Sequence, residues 1–412
     1  MSYTVQRNLN LQPLFPTGGP ALQHLDIELT ERCNNACRHC FINLPRADRR
    51  AIEKELSTVE WQGILRQASD LGALSVRFTG GEPLLRPDFS ELYLFARRLG
   101  LRVKIFTNAR LITAELADLF ARIPPLERIE ITVYGMHAET YNAAACTSQG
   151  YVEFRRGVEL LLERGVPFVV KSTLLPETLA DRQEFEAWAK TIPWMEEVPS
   201  YAMFFYQRGR HDKPALMRRI QQVRIDPQVG IAVMNSHPDY RQDVKRFCRD
   251  FTSPKGDRLF DCSAGKNGCV DAYGFYQPCL MLRDPSLTTD LRTSPLKEAV
   301  ENSRPRLREK VATHPDYLAR CARCFLHGLC DSCPAASYAE HGRLDQPVDY
   351  FCQVTHAMAC DLGLLAEGEQ AWEVLDWKER VANLGKDSIE PVPGLIVSTG
   401  GLMIAWRGVA RA

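Results

Sequence analysis

Six short apolar segments separated by helix-forming stretches hold the first two hundred residues to one class of fold. Ala21 to Thr30 (ALQHLDIELT), Leu74 to Gly81, Arg102 to Asn108 (RVKIFTN), Arg128 to Gly135 (RIEITVYG), Pro167 to Leu175 (PFVVKSTLL) and Ser200 to Gln207 (SYAMFFYQ) read as strands. Helices are predicted from Ser57 to about Leu71, near Phe89 to Arg98, over Thr113 to Ala121 and from about Tyr151 to Arg164. Ser57 and Glu60 have the spacing of a capping box, in which the two side chains satisfy each other's exposed backbone N–H groups. Strands alternating with helices at this interval imply an α/β protein with a parallel sheet and right-handed crossovers. A Rossmann sheet is the alternative arrangement, but no GxGxxG follows an early strand.

The first strand runs into the densest chemistry of the chain, Cys33, Cys37 and Cys40 in CNNACRHC. Three thiolates satisfy three irons of a four-iron cluster and leave the fourth open to a small molecule, whereas a four-cysteine cluster mainly passes electrons. Structural zinc is the rival use, since zinc completes a set of four N or S ligands and His39 stands between Arg38 and Cys40. About forty residues on, the buried-strand pattern Val76 to Thr79 ends abruptly in Gly80, Gly81 and Glu82, within VRFTGGEPLL. Glycines let a backbone approach a ligand closely, and a carboxylate beside them can meet a cation. GGEP alone is also an ordinary strand-ending turn.

The trio resembles the CxxxCxxC signature of the radical S-adenosylmethionine (SAM) enzymes, and the GGEP segment resembles their second mark. The residue before the third cysteine is usually aromatic in that family; here it is His39, which the resemblance sets beside the cofactor. The resemblance implies a partial (β/α)6 TIM-type barrel over residues 21–207, with a [4Fe-4S] cluster on the three cysteines. It further implies that Gly80, Gly81 and Glu82 hold the ammonium of SAM. Asn108 and the run Lys171, Ser172 and Thr173 would meet its ribose and carboxylate. In such barrels chemistry collects at the carboxyl ends of the strands, where Thr107, Tyr134, Tyr206 and Gln207 also fall. Lys171 reads equally as a strand-end surface lysine. The implied chemistry is reductive cleavage of SAM to a 5′-deoxyadenosyl radical, which takes a hydrogen atom from an unactivated C–H bond while the barrel orients the target carbon.

A second set of thiols fills the carboxy-terminal third: Cys262, Cys269 and Cys279, then Cys321, Cys324, Cys330 and Cys333 in CARCFLHGLCDSC, and Cys352. Eight thiols suit two complete four-cysteine clusters. The pattern resembles the SPASM domain, an auxiliary-cluster module of peptide-modifying radical SAM enzymes. Cys262 followed by Gly274 and Cys279 matches one hallmark, and Cys321, Cys324 and Cys330 match the other. One departure is the two-residue gap between Cys330 and Cys333, where the family often has three. By resemblance Cys262, Cys269, Cys279 and Cys333 hold a first auxiliary [4Fe-4S] cluster and Cys321, Cys324, Cys330 and Cys352 a second; Cys269 is the ligand that related modules sometimes lack. One or two structural zincs are the alternative, although CxxC-x5-CxxC is tight for a zinc ribbon. Cys146, Cys248 and Cys360 are left over and receive no role.

Balanced charge, with Lys+Arg and Asp+Glu at 51 each, gives no global field that favours nucleic acid or a membrane surface. No apolar run approaches the roughly 20 residues of a membrane span, and the first residues, MSYTVQRNLNLQPLF, lack a signal-peptide core. Fourteen cysteines without an export signal argue for metal or catalytic thiols in the cytoplasm. The expected organisation is an amino-terminal segment over 1–20, the barrel over 21–207, a charged bridge over 208–261, the SPASM domain over 262–360 and a tail over 361–412. That tail reads as an amphipathic helix, GLLAEGEQAWEVLDWKERVANLG, followed by a hairpin around Thr399 to Gly401. The resemblance favours a ribosomally made precursor peptide as substrate, crosslinked or oxidatively decarboxylated. The expected partners are a separate leader-peptide-binding protein and an electron donor of flavodoxin or ferredoxin type. A sulfatase-maturing, formylglycine-forming dehydrogenase is the enzymatic alternative, and a zinc-stapled binding protein the non-enzymatic one.

Overall fold

The computed structural model describes residues 22–40, 42, 44–202, 214–237, 240–262, 264–265, 267–330 and 332–384. By its internal contacts the chain divides into two compact units, Met1–Ala202 with Ala264–Pro305, and Met203–Ser263 with Arg306–Ala412. Tyr206, Gln207, residues 1–20 and the expected hairpin near 400 lie outside the described residues.

In the first unit, β1 (His24–Thr30) leads to the paired dipeptides β2 (Arg32–Cys33) and β3 (Leu44–Pro45). The sheet continues with β4 (Ser75–Gly80), β5 (Arg102–Thr107), β6 (Leu126–Val133), β7 (Phe168–Thr173) and β8 (Ser200–Ala202). These pair in parallel in the order β1-β4-β5-β6-β7-β8, the strand succession of a partial α/β barrel. Helices cross between them: α1 (Arg49–Lys54), α2 (Thr58–Asp70), α3 (Phe89–Arg98), α4 (Ala114–Arg122), α5 (Ala138–Ala145), α6 (Gly150–Glu163) and α7 (Arg182–Ala189). Ser57 and Glu60 form the expected capping box at the start of α2. α1, α5 and α7 have six to eight residues and too few apolar positions to register as periodicity in the sequence.

Period-two alternation separates the two faces of the sheet. One face, with Leu25, Ile27, Val76, Phe78, Val103 and Ile105, is sealed under the helices, where Phe78, Phe89, Tyr93 and Phe120 pack edge-to-face or stacked. The other face is polar. Asp26 pairs with Arg77 at 2.9 Å, Arg77 lies over the Phe106 ring at 4.8 Å, and Lys104 and Lys171 both reach Glu130, at 3.0 and 3.1 Å.

Residues 264–305, placed by sequence with the cysteine-rich module, pack with the barrel. β9 (Gly268–Val270) adds in parallel to the outer edge of β1, and β10 (Phe275–Gln277) and β11 (Thr289–Asp290) follow antiparallel. This addition covers an edge that would otherwise expose unpaired backbone groups. α11 (Leu296–Arg308) buries Leu296, Ala299 and Val300 in the same core.

The second unit is helical: α8 (Pro214–Gln222), α9 (Pro227–Asn235), α10 (Tyr240–Phe251), α12 (Pro334–His341), α13 (Asp349–Leu362) and α14 (Trp377–Asn383). Ile231, Val244, Cys248, Phe325, Met358 and Leu362 are among its core residues. The helix expected to run on after Cys360 is broken. α13 stops at Gly363, which takes the left-handed conformation at φ 79°, and among the described residues only Trp377–Asn383 is helical beyond it.

Candidate active site

The cysteine loop leaves the carboxyl end of β1 and is tied down by backbone. Cys40 N donates to Cys37 O at 3.1 Å, and Ala36 N donates to Ala145 O at the end of α5 at 2.9 Å. Cys37 is buried; Cys33 and Cys40 are partly so. Burial, with the Glu82 carboxylate next, pushes the Cys33 thiol up to about 12. Burial and the neighbouring thiols Cys40 and Cys33 also push the Cys37 thiol well above its ordinary value, against a hydrogen bond from Tyr134. Three crowded thiols of this kind ionise only when a cationic centre supplies the missing charge.

The glycine turn docks on the base of this loop. Gly81 N donates to Thr30 O at 2.7 Å and Glu82 N to Arg32 O at 2.9 Å. A Cβ on Gly81 would sit 2.6 Å from the carbonyl carbon of Arg32, and Gly80 lies at φ +133°, so both positions require glycine. Glu82 is buried and accepts from Thr107 Oγ1 at 2.8 Å, Asn108 N at 2.8 Å and Leu84 N at 3.2 Å. Burial nevertheless pushes its carboxyl up to about 7. Asn108 in turn donates from Nδ2 to Asn34 Oδ1 at 2.8 Å, with Cys33 Sγ at 3.9 Å. Cys33, Glu82 and Asn108 therefore converge from three strand ends.

The other residues singled out in the sequence have distinct surroundings. The His39 ring lies 5.8 Å from that of Tyr134. Ser172 Oγ donates to Val133 O at 2.7 Å. Lys171 Nζ is engaged by Glu130 and lies 3.3 Å from the Phe106 ring centroid; burial pushes the Lys171 ammonium down while Glu130 raises it. The buried Thr173 hydroxyl has no hydrogen-bond partner, and neither do Asn34 Nδ2 and Tyr141 OH.

Two buried arginines were missed in the sequence because their partners are remote in the chain. Arg110, in TNARL, donates to Asn34 O at 2.6 Å and to Asn35 Oδ1, and pairs with Glu153 at 2.6 Å, clamping the cysteine loop. Arg283 pairs with Glu28, with Glu31 at 3.3 Å and with Asp271 at 3.8 Å, while Tyr273 donates to Glu31 at 2.9 Å. Only the TNARL context could have hinted at Arg110; Arg283 carries no local signal.

The sequence pattern of the Radical SAM superfamily matches residues 27–189, the span that holds both the thiol loop and the glycine turn. Residues 27–189 form a radical SAM domain. It is 25% identical over 359 residues to the AdoMet-dependent heme synthase of Oleidesulfovibrio alaskensis, across 81% of this chain and 88% of that protein. It is 31% identical over 148 residues to the PqqA peptide cyclase of Xanthomonas euvesicatoria pv. vesicatoria, across 36% and 39%. Among solved structures, native anSMEcpe with bound AdoMet and Kp18Cys peptide superposes with a TM-score of 0.57 at 14% identity, across 82% of this chain and 96% of that one, a likeness of fold.

A radical SAM enzyme uses a [4Fe-4S] cluster and SAM, and the donor set here fits both. The buried thiols need a cationic partner. The unpartnered Thr173 and Asn34 groups and the under-compensated Glu82 carboxylate leave polar valence for an aminoacyl group. Among the described residues no three His, Cys, Asp or Glu side chains are drawn together as one metal ion would draw them.

In the second unit of this radical SAM enzyme, Cys321, Cys324, Cys330, Cys333 and Cys352 line a single pocket. The thiols of Cys321, Cys324, Cys330 and Cys352 lie within one another's fields; burial, then the neighbouring Cys352, pushes Cys321 up to about 11, and burial pushes Cys330 up to about 12. Cys262 belongs to the same unit, while Cys269 and Cys279 belong to the first. Cys269 is buried on β9 in register with Asp26, and its field reaches Arg283. Cys248 is buried in the second core; Cys146 and Cys360 are exposed. No described helix is long and apolar enough to cross a membrane.

Proposed function

We propose that this radical SAM enzyme carries a SPASM-type module with two auxiliary [4Fe-4S] clusters and modifies a peptide. The observation that carries the reading is the gathering of Cys321, Cys324, Cys330 and Cys352 around one pocket. These are the four thiols that the resemblance assigns to one cluster, drawn from a stretch of 32 residues. Cys262, Cys269, Cys279 and Cys333 are assigned to the other. Cys33, Cys37 and Cys40 hold the SAM-binding cluster.

When bound, the cluster and SAM supply one-electron cleavage and abstraction of a hydrogen atom from a substrate C–H bond. The protein's own residues do the rest. Arg110 and the Ala145 carbonyl fix the thiol loop. Gly80 and Gly81 let the backbone close on β1, and Glu82, short of full compensation, offers negative charge to the ammonium of SAM. Asn108 and Thr173 present donors to its ribose and carboxylate, and Lys171, held by Glu130, completes a polar wall on which substrate is oriented. Tyr134, half-buried, and Tyr141, fully buried, shield Cys37 from water. The reductant is an external one-electron donor, and a separate protein delivers the leader of the peptide.

A second reading has its own support: relatives named heme synthases align over about four-fifths of the chain, further than the peptide cyclases do. Under it the substrate is a porphyrin. The reduced, iron-loaded protein incubated with SAM should release 5′-deoxyadenosine, and the triple variant with Cys33, Cys37 and Cys40 replaced by alanine should not. Cleavage that persists in the triple variant defeats the site assignment. Mass spectrometry of candidate precursor peptides and of porphyrins offered in parallel separates the two substrates.

A further inference from the structure

The loop after α10 carries a lysine into the thiol-lined pocket of the second unit. Lys255 lines that pocket beside Cys321, Cys330 and Cys333; burial pushes its ammonium down, and the charges of Asp261, Cys262, Cys333 and Cys330 oppose that. The loop is laced down on both sides. Gly256 N donates to Ala322 O at 3.0 Å, between Cys321 and Cys324, Leu259 N donates to Lys310 O, and Ala312 N donates to Asp257 O at 2.7 Å. Lys255 Nζ donates to Leu259 O at 2.7 Å, which fixes the ammonium in the pocket wall. The His327 ring in the same pocket already registers this charge: burial first, and Lys255 second, push it down to about 3.

Cys321 and Cys330 belong to the proposed second auxiliary cluster, so Lys255 shares one pocket with its ligands. We propose that Lys255 is a charge-tuning residue that raises the reduction potential of the auxiliary cluster on Cys321, Cys324, Cys330 and Cys352. The inference rests on the auxiliary-cluster reading above. A four-thiolate iron–sulfur centre becomes more negative by one charge on reduction, so a fixed cation at short range in a poorly solvated pocket stabilises the reduced form more than the oxidised one. No bond forms or breaks at Lys255 and no proton moves; it acts through its field alone.

The test uses the full chain, loaded anaerobically with iron and sulfide and titrated electrochemically with EPR detection. Lys255→Gln keeps a donor for Leu259 O without the charge, and Lys255→Arg keeps the charge. In the glutamine variant the signal of that cluster should move to lower potential by about 59 mV or more, a tenfold change in a one-electron equilibrium. The arginine variant should stay near the parent value. Equal potentials in all three proteins, each holding about twelve irons, overturn the proposal, and so does an equal shift in both variants, which would mark a packing role. Parent protein with about four irons and a single EPR-active centre instead removes the auxiliary-cluster reading itself, and the proposal with it.

Discussion

Replacing Gly81 by alanine should injure the thiol loop more than the fold. The added Cβ would lie 2.6 Å from the carbonyl carbon of Arg32 and 2.8 Å from Glu31 O, against about 3.4 Å for an ordinary contact. All the crowded atoms are backbone, so no side chain can swing aside, and relief requires the turn and the Arg32–Cys33 segment to separate by the better part of an ångström. Overpacking of this kind costs about 1–3 kcal/mol, and the upper end applies because the Gly81 to Thr30 and Glu82 to Arg32 hydrogen bonds stretch together. For a unit of this size about 3 kcal/mol corresponds to a fall of about 6–12 °C in Tm. Gly63 is the control. It lies inside α2 with open space where its Cβ would be, so Gly63→Ala should stabilise by about 0.5–1 kcal/mol. Calorimetry of both variants, with iron content and 5′-deoxyadenosine release at a temperature where both stay folded, checks the argument. If Gly81→Ala matches Gly63→Ala in Tm and keeps its SAM cleavage, the close approach of turn and thiol loop is not what the glycine serves.

Burial raises the Glu130 carboxyl, but the charges of Lys171 and Lys104 outweigh it and hold the group near about 2. Its stabilisation is thus complete above about pH 5 and lost as pH falls through the folded value. Glu130→Gln should cost about 2 kcal/mol at pH 7, with a gap in urea midpoint that narrows towards about pH 3.5; a gap independent of pH would count against the pairing. Arg110→Ala removes the clamp between Glu153, the Asn34 carbonyl and the Asn35 side chain and should lower stability by about 3 kcal/mol, with cluster iron released faster to a chelator. Unchanged release would show that the loop holds itself. Cys330→Ser should lose about four irons per chain, while Cys146→Ser and Cys360→Ser, on exposed thiols outside both sets, should retain the full complement by colorimetric assay.

What could be read from the sequence follows from how local each signal is. The Ser57–Glu60 cap and the bounds of α3 were legible because their hydrogen bonds close within a few residues. CNNACRHC and GGEP were legible because both compress their chemistry into one loop. The identity of the wall around them was not. Arg283 meets Glu28 across 255 residues of chain, and nothing in LRDPS distinguishes that arginine from a solvated one. β9 is three residues long and is a strand only because β1 leaves an edge to fill. For the same reason sequence placed residues 264–305 with the cysteines that follow them, although their backbone hydrogen bonds belong to the barrel. Lys171 shows the limit from the other side. Its position at a strand end suggested a contact with cofactor, yet Glu130 and Phe106, each on a different strand, already claim its ammonium. A lysine so held is a rigid cation aimed by its partners, and the charge it presents to a bound molecule is that of the whole Lys104–Glu130–Lys171 group, a net single positive charge on the polar face of the sheet. A substrate or cofactor carboxylate would therefore be read by the group as a unit. Lys104→Met should accordingly weaken binding of such a ligand about as much as Lys171→Met does, a symmetry that a direct contact from Lys171 alone would not produce.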